Sequence, residues 1–218
     1  GSNAPFRGVK GTTWEGGMRV PCIVRWPGTI PGGRRSEALL TTMELLPTLA
    51  SLIGIDLSDL VDLGRRPIDG LDAMETLLGR NDESPRRELL YYMGPRLEAI
   101  RYDRWKLRLL PDETEGQARD GEARRNSGHK SYTALYNLQE DPAETRDCSD
   151  EHREKVAELL SRAVNARTMF GDSNTGSAGA ARRPKARVSA PRPLTKYDPE
   201  HPYIVALYDL GEGAVMAG

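Results

Sequence analysis

Within twelve residues, Lys10 to Pro21, the chain sets a cation, the adjacent hydroxyls of Thr12 and Thr13, an acid at Glu15 and three glycines, Gly11, Gly16 and Gly17. Glycine permits positive φ and close approach of backbone, so a lysine among glycines can be aimed out of a tight turn. An ammonium group beside backbone amides binds sulfate or phosphate as a point charge plus donors. That is anion chemistry, too general to name an enzyme, and a solvated turn is the alternative reading of a lysine beside a glycine. To hold such a group in a cleft the loop needs a rigid element behind it. The run Val20 to Trp26, β-branched and aromatic, predicts a strand buried on at least one face, with Pro21 at its start.

Other residue types offer less. Cys22 and Cys148 form no C-x-x-C or zinc spacing; Cys22, within the expected strand, reads as a small buried hydrophobe. His129, His152 and His201 lie in a loop, at a helix start and in a Pro-rich tail, without the i,i+4 pairing of a metal site. Asp69 and Asp72 read as a turn and a helix cap rather than an acid pair. The Gly-rich residues 171 to 179 lack the strand–turn–helix setting of a phosphate loop, and Arg182 to Arg187 reads as a solvated basic tail.

The elements that must position Lys10 follow from pattern. Thr41-x-x-Glu44 is a capping-box signature ahead of the apolar positions Leu45, Leu46, Leu49, Leu52 and Ile53, with Gly54 as a stop; Pro47 draws the helix start toward Glu44. A short helix is expected over Leu71 to Leu78. Strands are expected over Glu88 to Met93, Leu97 to Tyr102, Trp105 to Leu110 and Thr133 to Leu138, with Asp103-Arg104 as a hairpin turn. Alternation along Leu97 to Tyr102 is imperfect. Pro111 to Lys130 reads as a long exposed loop, Asp150 to Ala166 as a helix capped by Asp147 or Ser149, and Gly171 to Pro193 as a linker by composition. Tyr203 to Tyr208 reads as a terminal strand or docking segment.

Chain length, 218 residues, is enough for one large domain or two small ones, but 38% hydrophobic and 6% aromatic residues imply that part of it is not packed. A net charge of −1 and a pI of about 6.4 argue against nucleic acid or an anionic membrane as partner. No run reaches the length of a membrane span.

Read as KGTTWEGGMRVPCIVRWPG, Lys10 to Gly28 resembles the segment near the end of the catalytic domain of the sulfatase family. The resemblance continues through Ile30-Pro31-Gly32-Gly33, Thr41 to Leu49, Ile68 to Asp72, Leu135-Tyr136-Asn137-Leu138 and Glu140 to Glu144, in order, over roughly residues 5 to 165. It implies the end of an α/β catalytic domain (1–85), a smaller α+β subdomain with a short antiparallel sheet and a packed helix (86–170), and a flexible or loosely docked tail (171–218). It further implies that Lys10 touches the substrate sulfate, with Thr12, Thr13, Trp14, Glu15 and Arg19 as scaffold.

In the family the nucleophile is a formylglycine made from a C/S-x-P-x-R motif, and calcium is held by two early aspartates and an Asp-Asn pair before the lysine loop. Neither cysteine matches, no aspartate precedes Asn3, and the catalytic histidines lie upstream in the family. The resemblance therefore implies the C-terminal portion of a sulfatase, inactive alone, whose calcium and formylglycine belong to the full-length enzyme. Its partners would be a sulfated small molecule or saccharide and the missing N-terminal portion, with self-association through an uncovered sheet edge. The turn Met93 to Arg96 and the loop Asp112 to Lys130 are expected to set selectivity. Export to the periplasm or outside is the family's habit. A non-catalytic module for sulfated ligands and an inert sulfatase remnant are the alternatives.

Overall fold

In the computed structural model the described residues are 2–57, 68–109, 133–183 and 187. The chain divides into two units, Gly1–Arg182 and Arg183–Gly218, and nearly all described residues belong to the first. The loop Asp112 to Lys130, His129, His201 and the Tyr203 to Tyr208 segment lie outside the described residues.

Four strands form an antiparallel meander: β1 (Glu88–Met93), β2 (Arg96–Tyr102), β3 (Trp105–Arg108) and β4 (Ala134–Asn137), adjacent in sequence order. The β2–β3 turn is Asp103-Arg104, closed by the Tyr102–Trp105 pair, with Asp103 at φ 53°. In the β1–β2 ladder Tyr91 faces Ala99 while Tyr92 faces Leu97, so Glu98 is the extra residue of a β-bulge. The bulge explains the imperfect alternation: on either side of it, Leu97 and Ile100 both join one core cluster.

That cluster fills the space between the sheet and the long helix. Leu97, Ile100, Leu107 and Leu135 pack against Leu159, Ala163 and Ala166, spaced four and three apart on one face of an 18-residue helix, Arg153–Phe170. His152, its ring tilted 55° against that of Trp105 with centroids 4.6 Å apart, occupies the N-cap without a side-chain cap bond, so neither Asp147 nor Ser149 caps the helix as expected. Asp147 instead accepts the amides of Leu135 and Ser149. Residues 171–182, where composition suggests a linker, are bonded to the sheet at their start and to the end of the long helix at Ala180 and Ala181. The buried Asp172 accepts the Leu97 amide and the Arg167 guanidinium, and the Tyr92 hydroxyl donates to the Gly171 carbonyl.

The N-terminal part holds shorter elements. A single helical turn, α1, spans Glu15–Met18; a 3-10 turn, Thr42–Glu44, leads into α2, Leu45–Leu52; α3 spans Met74–Leu77; the long helix is α4. Thr41 and Glu44 form the expected capping box, and the buried Glu44 also pairs with Arg86 and accepts the Leu71 amide. Asp72 accepts the Met74 amide beside the start of α3, but the N-cap is Ala73, so Asp72 braces a local turn there and is not the cap expected of it.

Two expectations fail here, the strand over Val20 to Trp26 and the burial of Cys22. Val20 to Trp26 forms no strand: every residue in it is exposed, Val20 at 78% and Ile23 at 92%, and Cys22 lies at the surface rather than in a core. A strand needs a neighbour to complete its ladder, and among the described residues no strand pairs with this run. The apolar stripe of α2 is likewise uncovered. Leu45, Leu46, Leu49 and Ile53 are more than half exposed, while Thr48 and Ala50 are buried.

Candidate functional site

The face of the sheet away from α4 is where the Lys10 loop lies. Along β3 the residues alternate, Trp105 and Leu107 toward α4, Lys106 and Arg108 toward the loop, yet all four are buried. Trp14 packs there with Ala134, Tyr136 and Leu138. Its ring is held between two guanidinium groups, Arg7 at 3.8 Å and Arg108 at 3.6 Å from the centroid, and meets Tyr136 edge-on. Thr13 donates its hydroxyl to Glu98 at 2.8 Å and accepts from Arg108 at 3.2 Å.

Beneath the loop lies a buried ionic cluster. Lys106 Nζ donates to the Thr13 carbonyl at 2.8 Å and to Glu15 Oε1 at 3.0 Å, and pairs with Glu144 Oε1 at 2.8 Å. Glu144 Oε2 accepts the Glu15 amide at 2.7 Å. The Tyr91 hydroxyl donates to Glu15 Oε1 at 2.9 Å, and Arg19 Nε donates to Glu15 Oε2 at 2.6 Å. Two carboxylates thus meet two cations, which is how charges persist out of water. Burial alone would raise the Glu15 carboxyl, but Lys106 and Arg19 bring it down to about 2. Burial pushes the Glu144 carboxyl up and the Tyr91 hydroxyl well up. Glu144 is strained as well, at φ 55°, a region that non-glycine residues rarely occupy.

The glycines make this packing feasible. A Cβ on Gly16 would stand 2.5 Å from the Arg7 carbonyl oxygen, and one on Gly17 would stand 2.3 Å from that of Thr12. The Gly16 amide donates to Arg7 at 2.7 Å, closing the loop on itself.

Lys10 stands apart from this cluster. It is exposed, followed by Gly11 at φ 90°, and makes no ion pair or hydrogen bond among the described residues. The loop is therefore held by its second half, while its cation faces outward. Thr13, Trp14, Glu15 and Arg19 are seated as scaffold, and Glu15 bonds Arg19 as a Glu near an Arg is expected to. Thr12 bonds within the turn, its hydroxyl and amide both donating to the Val9 carbonyl. Met93 to Arg96 is the β1–β2 turn; Arg96 pairs with Glu98, which also holds Thr13, so this turn and the Lys10 loop share one carboxylate.

Sequence reasoning missed Lys106, Arg108, Glu98, Tyr91 and Glu144. Glu144 ends the quoted Glu140 to Glu144 motif, a signal that could have found it. Lys106 and Arg108 alternate with apolar residues, a pattern that ordinarily marks a solvated face. Among the described residues no group of His, Cys, Asp or Glu could hold a metal ion, and neither cysteine lies in a C/S-x-P-x-R setting; the described residues do not fit the family's calcium or its formylglycine. No described helix is long and apolar enough to cross a membrane.

Two family descriptions match this chain: "Sulfatase" over residues 1–55 and "C-terminal region of aryl-sulfatase" over residues 84–179. Steryl-sulfatase from Mus musculus is 43% identical over 102 residues, covering 47% of this chain and 16% of the mouse protein. N-acetylgalactosamine-6-sulfatase from Canis lupus familiaris is 43% identical over 106 residues, covering 49% of this chain and 19% of the dog protein. A solved structure from Bacteroides thetaiotaomicron, described under the metabolism of multiple glycosaminoglycans, superposes with a TM-score of 0.58 at 28% identity, covering 75% of this chain and 32% of that one. The chain belongs to the sulfatase family and corresponds to its C-terminal portion. It spans less than a fifth of the mouse and dog relatives.

Proposed function

We propose that this chain contributes the sulfate-binding lysine loop and part of the substrate cleft to a sulfatase that hydrolyses sulfate esters. The observation that carries the reading is Lys10 itself: an exposed cation, unpaired among the described residues, on a loop whose next residues are locked into a buried cluster. A cation so held offsets charge on the sulfate oxygens and on the leaving oxygen as the S–O bond breaks, and it needs no reorganisation at that moment. Steryl-sulfatase and N-acetylgalactosamine-6-sulfatase are named for very different alcohols, and what they share is the sulfate. That is the part of the substrate Lys10 would take. The Met93 to Arg96 turn, tied to the same loop through Glu98, would lie toward the alcohol.

The uncovered apolar surfaces support the same reading. Val20, Ile23 and Trp26, with Leu45, Leu46, Leu49 and Ile53, fall inside the segment that matches the "Sulfatase" description. In our reading they pack against the remainder of an α/β catalytic domain, which would also carry the calcium and formylglycine. Taken alone, the chain binds sulfated ligands without turning them over. Export to the periplasm or outside, the family's habit, belongs to the same proposal.

The test is calorimetric titration with N-acetylgalactosamine 6-sulfate against the unsulfated sugar. Binding that requires the sulfate and disappears in Lys10→Ala supports the proposal. Equal binding of the two sugars, or a Lys10→Ala variant that binds like the wild type, overturns it.

A further inference from the structure

We propose that Lys106 and Glu144 are positioning residues that set the aim of Lys10; the inference rests on the sulfate-binding reading of Lys10 given above. Both side chains are fully buried, and each grips the main chain of the loop rather than only its side chains. Lys106, from β3, takes the carbonyl of residue 13; Glu144, from the connection after β4, takes the amide of residue 15. The two bonds fix peptide planes on either side of Trp14, whose ring is already clamped by Arg7 and Arg108. Lys10 stands three residues before the first of those planes, so its direction is inherited from them.

Stability alone is a poor account of this cluster. A buried ion pair loses most of its Coulombic gain to desolvation, and apolar residues of similar volume commonly serve as well or better. Glu144 adds an unfavourable φ of 55° to its burial. What an apolar plug under the loop cannot supply is direction: hydrogen bonds orient a carbonyl and an amide, whereas van der Waals packing leaves the turn free to rock. The Tyr91 hydroxyl and Arg19 complete the shell on the two oxygens of Glu15, and Lys106, which shares Oε1 with Tyr91, holds Thr13 as well.

The experiment pairs two readouts on the 218-residue chain: amide hydrogen exchange along residues 11–17 and along β2 and β3, and titration with inorganic sulfate followed by NMR. Glu144→Gln is the primary variant, because Gln keeps the shape and one acceptor oxygen while losing the charge. Glu144→Ala and the double variant Glu144→Gln with Lys106→Met remove progressively more of the grip. The expected series is graded. Exchange in residues 11–17 rises by about tenfold or more from wild type to Glu144→Ala, with Glu144→Gln between them, while β2 and β3 stay protected. Sulfate affinity falls in the same order toward that of Lys10→Ala, and Lys10→Ala itself loses sulfate without loosening the loop.

Sulfate affinity unchanged in Glu144→Ala and in the double variant, with Lys10→Ala showing its loss, overturns the positioning role and leaves the sulfate reading intact. A wild type that ignores sulfate, or a Lys10→Ala variant that binds it normally, overturns the sulfate reading and this inference together. If the double variant loses protection throughout β2 and β3, the comparison of Glu144→Gln with Glu144→Ala decides. A graded rescue by Gln supports positioning, and equal sulfate binding in the two contradicts it.

Discussion

Lys106 Nζ lies 2.8 Å from the carbonyl oxygen of Thr13, across 93 residues of chain. This one contact joins the two regions that match separate family descriptions, since Thr13 falls in residues 1–55 and Lys106 in residues 84–179. The C-terminal sheet is thus the floor on which the lysine loop is mounted, and several consequences can be measured.

Acid should loosen that floor. The Glu15 carboxyl, at about 2, lies well below the ordinary value of 4.5, so its stabilisation is present above about pH 4.5 and drains away as pH falls toward 2. The full effect is on the order of 3 kcal/mol. Glu144, pushed up by burial, acts in the opposite sense and favours folding at low pH, which offsets part of the loss. Urea unfolding between pH 2 and 6 should show stability rising with pH in the wild type and a flatter profile in Glu15→Gln. A steeper profile in the variant would contradict the cluster as described.

Truncating Trp14 should be among the costliest single changes. Trp14→Ala empties a fully buried site lined by Tyr136, Ala134 and Leu138 and is expected to cost about 3–5 kcal/mol, whereas Trp14→Phe keeps an aromatic face for Arg7 and Arg108 and costs less. Denaturant midpoints of the two variants settle the order.

Gly17 and Gly32 make a matched contrast. A methyl group at 17 would sit 2.3 Å from the Thr12 carbonyl, so Gly17→Ala must open the turn and should cost at least about 2 kcal/mol. At Gly32 nothing lies within 4 Å of the added carbon, and Gly32→Ala should leave thermal unfolding unchanged within about 0.5 kcal/mol.

The exposed stripe of α2 should make the isolated chain self-associate. Leu46 is 57% and Leu49 51% exposed, and burying such a side chain is worth about 1.5–3 kcal/mol. Sedimentation equilibrium is expected to show concentration-dependent association that Leu46→Glu with Leu49→Glu abolishes. A wild type that stays monomeric across the accessible concentration range would count against this surface as a buried face of a larger fold.

Much of the scaffold was legible in local pattern. The Asp103-Arg104 turn, the Thr41–Glu44 capping box and the helix bearing Leu159 and Ala163 are each written within a few residues of one another. Two kinds of information were not local. Lys106 looks like a solvated strand position until the loop around Trp14, some ninety residues earlier, is laid over it. Val20 to Trp26 has strand composition, but composition cannot form a ladder without a partner strand. The bulge at Glu98 falls between these cases: the broken alternation was visible, and only the register shows that an extra residue causes it.

The central claim is that Lys10 receives the sulfate, and diffraction from crystals soaked in selenate, a sulfate mimic with its own anomalous signal, tests it most directly. The account predicts an anomalous peak within hydrogen-bonding distance of Lys10 Nζ that vanishes in Lys10→Ala. Selenate bound elsewhere while the Lys10 loop stays empty, or a peak at the loop that survives Lys10→Ala, would contradict it.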